Sequence, residues 1–188
     1  MILLVDFGSS FILTIEDRLK DLNVNYQKVD HTFNSDVTKY SGIILSGSPD
    51  SVFDNGRVID KEYLLKGIPT LGICYGHQLV HYLFNGEVTV SSTPERNIAP
   101  ILKIDVDNEI FKDLDKEFNV PMYHSDEWVK LADGFINLGS TKRCKYAATY
   151  NKDLNIYTFQ FHPEVIERCK ESLKLFSNFL DICHESHL

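Results

Sequence analysis

The chain has 188 residues, 43% hydrophobic and 24% charged, a length that suits one domain over residues 1–188 with its own core. Lys and Arg total 19 against 27 Asp and Glu, a formal charge of −8 that argues against nucleic-acid or anionic-membrane partners, whose phosphates draw on basic side chains. The apolar runs are too short to span a bilayer, and the start MILLVDFGSS lacks the basic and long apolar segments of a signal peptide.

Strands and helices are expected to alternate from the start. Ile2 to Phe7 is a continuous apolar run, as in a strand buried on both faces. Ser9 or Ser10 then caps a helix reaching about Leu22, with Phe11, Ile12, Ile15, Leu19 and Leu22 at helical spacing. Val24 to Val29 and Gly42 to Ser46 read as the next two strands, the second ended by the turn-rich SGSPDS. A short helix closes over Tyr63 to Lys66, with Gly67 and Pro69 as stop signals. Ile68 to Cys74 is a fourth strand, followed by a helix over Tyr75 to Phe84 and an Asn85-Gly86 turn. Further strands are expected at Val88–Val90, Ile101–Val106, Ala147–Tyr150 and Ile156–Phe161, and a last helix over Val165 to Cys183. This order predicts an α/β fold. A mostly parallel central sheet would be flanked by helices, with antiparallel strands added in the second half.

Two fragments carry chemistry. In LGICYGHQL, Gly72 and Gly76 flank Cys74 as G-x-C-x-G between a strand and a helix. That is the pattern of a nucleophile elbow, with Cys in place of Ser. A sharp strand-to-helix turn needs glycines, and it sets the sulfur at the positive end of a helix. The plainer reading is a small apolar Cys in a core. In FQFHPEV, His162 and Glu164 sit at the exit of an apolar strand, with Pro163 preventing the ladder from continuing. A His there can take a thiol proton, and the carboxylate can orient it; the alternative is a loop His beside a solvated Glu. Together the fragments would meet on one sheet edge.

Two others are weaker. LSGSPDS, residues 45–51, could aim backbone N–H groups at an oxyanion, or be only a turn. In YHSDEWV, residues 123–129, His124 and Asp126 could touch a ligand, or belong to a capped turn with a surface Trp128. The four Cys, at 74, 144, 169 and 183, form no C-x-x-C pair and read as free thiols of a reducing cytoplasm.

GICYG followed some ninety residues later by FQFHPEV resembles the class I glutamine amidotransferase domain, and the resemblance covers essentially the whole chain. LLVDFGSS, GIILSGSPDSV, GICYGHQLV, YHSDEWVKLADGF and YTFQFHPEV are most similar to the glutaminase part of GMP synthetases, which in some organisms is a separate small subunit. The resemblance implies that Cys74 is the nucleophile, His162 the general base and acid, and Glu164 its orienting group. It places the oxyanion donors at the N–H of Tyr75 and in the turn of Gly47 and Ser48. Ser48 stands where the family usually has Gly, a conformation Ser could find harder to adopt. Gln78 and the segment His124, Ser125 and Asp126 fall where the family contacts glutamine. Tyr123 and Ser125 depart from the family's usual Ser-His-Gly, and Ser10 stands where Gln is common.

By the same resemblance the chain hydrolyses L-glutamine with no metal or organic cofactor of its own. It passes ammonia to an ATP-pyrophosphatase subunit that holds ATP and Mg and converts XMP to GMP, and its free activity is low until that partner docks. The chain contains no SGGVDS-type ATP loop. The rivals are the glutaminase of another synthase, of the anthranilate or aminodeoxychorismate type, a free-standing γ-glutamyl hydrolase, and a silent binding subunit. DFGSSF and GSPDS favour the GMP synthetase type over the first, which usually shows DNYDSF and GPG.

Overall fold

The computed structural model describes residues 1–54, 56–103 and 107–186, with Ser92 and Thr93 described by their backbone alone. The first half alternates as expected: β1 (Ile2–Asp6), α1 (Ile12–Asp21), β2 (Tyr26–Asp30), β3 (Gly42–Leu45), β4 (Thr70–Ile73) and α2 (Tyr75–Leu83). The second half is β5 (Glu87–Lys103), β6 (Glu117–Lys130), β7 (Ile136–Ser140), β8 (Ala148–Asn151), β9 (Ile156–Phe159) and α3 (Ser172–Glu185). All nine strands share one sheet in the order β2-β1-β3-β4-β9-β8-β7-β5-β6. β2, β1, β3, β4 and β9 run parallel, and from β9 outward every pairing is antiparallel.

The inner parallel strands β1, β3, β4 and β9 are buried on both faces because both are covered, whereas the edge strand β2 is polar and part-exposed. On one face Ile2, Leu4 and Ile44 pack with Ile15 and Leu19 of α1 and Phe176 and Phe179 of α3. On the other, Leu3, Val5 and Ile43 pack with Leu79 and Val80 of α2 and Leu64 of a short 3-10 turn, Lys61–Lys66. Each fully buried Ile or Leu contributes about 1.5–3 kcal/mol of transfer free energy. Burying both faces fixes the register and hence which strand ends share the carboxyl edge.

The antiparallel half differs most from expectation. The strand expected at Val88–Val90 runs on through the 17 residues of β5. The expected strand Ile101–Val106 is its end, of which 104–106 lie outside the described residues. The segment read as a possible capped turn with a surface Trp128 lies in β6, and Trp128 is buried against α2. In β6 the even positions from Phe118 to Trp128 are buried, but His124 and Asp126 among them disguise the alternation, and Pro121 reads as a break. β7 is a further strand that no apolar run announces.

The last helix begins at Ser172, not near Val165; residues 163–171 form turns that keep Val165 and Cys169 buried at helix-like spacing. Neither Ser9 nor Ser10 caps α1, which has no side-chain cap. Ser9 Oγ instead accepts from the Phe11 N–H at 3.1 Å, and Phe11 is the N-cap. Among the described residues no helix is long and apolar enough to cross a membrane.

Candidate active site

Cys74 occupies the single residue between β4 and α2, at φ 52° and ψ −100°. A non-glycine residue held there costs of order 1–3 kcal/mol, offset by the contacts that fix it. Its N–H donates to Phe159 O of β9 at 2.7 Å, and the Gly76 N–H donates to Ser46 O beyond β3 at 3.1 Å. Both glycines are sterically required. A Cβ on Gly72 would lie 2.8 Å from Gly76 O, and one on Gly76 only 2.5 Å from Leu45 O, backbone that cannot swing aside. The turn therefore sets the thiol at the N-terminus of α2, whose dipole favours negative charge there. The sulfur lies 3.5 Å from Tyr123 O and receives the Gln160 Nε2 donor at 3.7 Å.

His162 follows β9, where its N–H donates to Pro121 O of β6 at 3.0 Å. Its Nδ1 pairs with Glu164 Oε1 at 2.7 Å, both side chains being buried. A carboxylate oxygen accepts, so Nδ1 carries the proton and Nε2 is left for the sulfur. Burial by itself disfavours an imidazolium. The Glu164 carboxylate and the nearby Cys74 sulfur outweigh it and hold His162 well above the usual histidine range. The rings of Phe11 and Tyr123 pack on the imidazole at 5.0 and 5.8 Å between centroids, and Arg18 Nη1 donates to Glu164 O at 3.3 Å, bracing the turn. Burial pushes the Cys144, Cys169 and Cys183 thiols up to about 12. All four cysteines are free.

A cavity of about 340 Å³ opens over this pair, at the carboxyl edge of the parallel strands. Cys74, His162, Ser48, Gln78, His124, Ser125 and Asp126 all line it. Gly47 lies beneath His162, where an added Cβ would come 3.3 Å from Cε1. Tyr75 turns its side chain away, with its hydroxyl donating to Arg57 O at 2.7 Å and its ring packed on Phe7. Only its N–H, without an intrahelical acceptor as the first residue of α2, belongs to the site. Ser48 adopts no positive φ, so the conformational difficulty expected of Ser in place of Gly does not arise in this structure. Its Oγ accepts from the Asp50 N–H at 3.1 Å.

Gln78 Nε2 donates to Asp126 O at 3.1 Å and to Gln160 Oε1 at 3.2 Å, joining α2 to β6 and to the segment after β9. Asp126 Oδ2 accepts from Ser51 Oγ at 2.6 Å. His124 Nδ1 meets Asp126 O at 2.9 Å, and its Nε2 meets the buried Glu95 carboxylate at 3.2 Å. Sequence reasoning missed Gln160, Glu95, Ser51, Arg96 and Phe11. Gln160 had a signal, as a polar residue between two buried phenylalanines beside the His. The others come from loops and a ribbon whose pairing no local pattern revealed. Among the described residues, no three His, Cys, Asp or Glu gather as a metal site.

A strained Cys elbow and a His–Glu pair on one edge of a parallel sheet make a thiol-nucleophile triad of the kind that cleaves acyl bonds. The chain belongs to the glutamine amidotransferase class-I family, which it matches over residues 3–182. It is 37% identical over 184 residues to a glutamine-hydrolysing GMP synthase of Clostridium acetobutylicum, covering 96% of this chain and 36% of that one. The corresponding enzyme of Macrococcus caseolyticus is 37% identical over 188 residues, covering 97% and 36%. The chain thus spans about a third of the length of these relatives. A Thermoplasma acidophilum protein described as a GMP synthase subunit superposes with a TM-score of 0.87 at 28% identity, covering 99% of this chain and 94% of that one.

Proposed function

We propose that this chain hydrolyses L-glutamine to glutamate and ammonia and delivers the ammonia to a synthetase that makes GMP from XMP. The observation that carries the hydrolysis is the placement of His162. Its Nδ1 is 2.7 Å from Glu164 Oε1, and it lines the same cavity as the sulfur of the strained elbow. The sulfur attacks the side-chain carbonyl, forming an S–C bond, and the oxyanion is received by the N–H groups of Tyr75 and the Gly47–Ser48 turn. Each such donor is worth roughly 3–4 kcal/mol in other enzymes. His162 passes its proton to the departing nitrogen as the C–N bond breaks. It then takes a proton from water, which attacks the thioester and frees glutamate and the sulfur. Gln78 and the 124–126 segment hold the amino-acid end of the substrate.

The acceptor reaction is inferred from the relatives' names and from the structural likeness to the Thermoplasma protein. The partner is then an ATP-pyrophosphatase carrying ATP and Mg, and this chain supplies no cofactor. The setting is the cytoplasm. The test is ammonia and GMP production from glutamine, XMP, ATP and Mg by this chain mixed with a GMP synthetase subunit. Glutamine-dependent GMP formation that disappears with Cys74→Ala supports the reading. Glutamine hydrolysis without GMP would leave the chain a glutaminase of another system, and no hydrolysis in either case would overturn both parts.

A further inference from the structure

We infer that Arg96 on β5 is the specificity residue that takes the α-carboxylate of the substrate. The inference rests on the glutamine reading above. Free glutamine is a zwitterion, so the wall away from Cys74 must offer one negative and one positive group, or leave a charge unpaired in a partly closed cavity. The negative group is Asp126. It is buried, it lines the cavity, and its carboxylate accepts from the uncharged Ser51 hydroxyl at 2.6 Å. Asp50, the other acid on the lining, is already paired with Arg57 at 2.9 Å.

Of the described residues lining the cavity, Arg96 alone is a permanent cation, since His162 and His124 are committed to Glu164 and Glu95. Its position follows from the ribbon. Arg96 pairs in register with Tyr123, and Glu95 with His124. Side chains alternate across a strand, so Arg96 leaves on the face of Tyr123, whose ring packs on His162, and opposite to Glu95. Glu95 therefore does not neutralise it. Arg96 Nη2 donates to Ser125 Oγ at 3.2 Å, and no carboxylate among the described residues pairs with the guanidinium. A guanidinium has five N–H donors in a fork that matches a carboxylate, so a pre-oriented and unneutralised Arg at the mouth is suited to that group. It would select the free amino acid over glutamine inside a peptide, whose α-carboxyl is an amide.

The experiment compares labelling rates of Cys74 by a diazoketone analogue of L-glutamine, by its α-methyl ester and by iodoacetamide, with Arg96→Gln and Arg96→Lys as variants. Losing a charge-assisted hydrogen bond slows the first reagent by about 10- to 100-fold relative to iodoacetamide in Arg96→Gln. Arg96→Lys should fall between, because it keeps the charge without the fork. The ester should label all three proteins at similar relative rates. An unchanged diazoketone-to-iodoacetamide ratio in Arg96→Gln would overturn the role of Arg96 and leave glutaminase activity standing. Equal slowing of acid and ester would make Arg96 a structural residue only. A wild-type chain alkylated by iodoacetamide at Cys74 but inert to the diazoketone would overturn the glutamine reading, and this inference with it.

Discussion

The five parallel strands and the antiparallel ribbon meet at one cavity but hold it in different ways. The parallel half contributes Cys74, His162 and Glu164, and places the nucleophile with backbone. The Cys74 N–H is tied to Phe159 O, the Gly76 N–H to Ser46 O, and two glycine positions admit no Cβ. The ribbon of β5 and β6 contributes Arg96, Tyr123, His124, Ser125 and Asp126 along a wall, and places them through side-chain pairs such as His124–Glu95 and Arg96–Ser125. Bond-making groups need positions fixed to a fraction of an ångström, which buried backbone supplies. Substrate-recognising groups tolerate more slack, and a ribbon with one exposed face can be varied without unmaking the core. The expected division is that changes in the parallel half act on kcat and stability, while changes in the ribbon act on KM.

The largest effect separates the halves most sharply. Cys74→Ala and His162→Asn should each lower kcat by at least about 10,000-fold, and the double variant should be hardly worse than either, because the two share every step. Additive losses in steady-state ammonia release would show that they do not. Cys144, Cys169 and Cys183 are packing residues whose thiols burial holds protonated, so a glutamine-like electrophile should leave them unlabelled.

Glu164→Gln comes next and should cost on the order of a hundredfold less than loss of Cys74, since the orienting carboxylate is the least costly member of such a unit to remove. It also tests the electrostatics. Glu164 helps raise His162, so the imidazole titration followed by NMR should move to lower pH in the variant. The sign for stability follows by linkage. A raised folded pKa gives stability that is fully present below the unfolded value near 6.5 and is lost as pH rises through the folded value. Glu164→Gln should thus destabilise the fold more at pH 5.5 than at pH 9, measured by urea unfolding. An unmoved imidazole titration would mean that Glu164 does not set the charge of His162.

How far the two halves were legible in the sequence follows the same line. Unbroken apolar runs announce strands buried on both faces, so β1, β3 and β4 stand out, and the elbow carries its own glycine signature. His162 and Glu164 are two residues apart, so their pairing needs no long-range knowledge. β6 hides because its buried positions include His124 and Asp126, polar side chains that only the ribbon's pairing and the cavity explain. Arg96 was invisible for a related reason: a long Arg on an alternating strand is ordinary until its cross-strand neighbour is known. The start of α3 is misleading because Val165 and Cys169 have helical spacing, yet residues 163–171 stay as turns that keep Glu164 wholly buried behind His162.

Gly76→Ala carries the comparison to stability. A methyl group 2.5 Å from Leu45 O forces β3 and α2 apart, an overpacking that typically costs about 1–3 kcal/mol. Ile98→Ala on the ribbon, at a side chain 47% exposed, should stay within about 0.5 kcal/mol in the same denaturant series. Equal destabilisation by both would erase the distinction between a rigid and a tolerant half.

The smallest effect is expected at Ser48, where the family usually has Gly. Were the oxyanion turn to need a left-handed residue, Ser48→Gly would raise the free glutaminase rate substantially. Ser48 has no positive φ here, so glycine gains little from its wider range, and the change removes the hydroxyl that accepts from the Asp50 N–H. A net change of less than about threefold follows, because a neutral hydrogen bond in a partly exposed turn is worth only about 0.5–1.5 kcal/mol and part of that is made up by water. Partner dependence of the rate would then arise from some other element than this backbone dihedral. A tenfold or greater rise in Ser48→Gly, measured without any synthetase, would show that the working loop has a conformation this structure does not display, and that docking supplies the free energy to reach it.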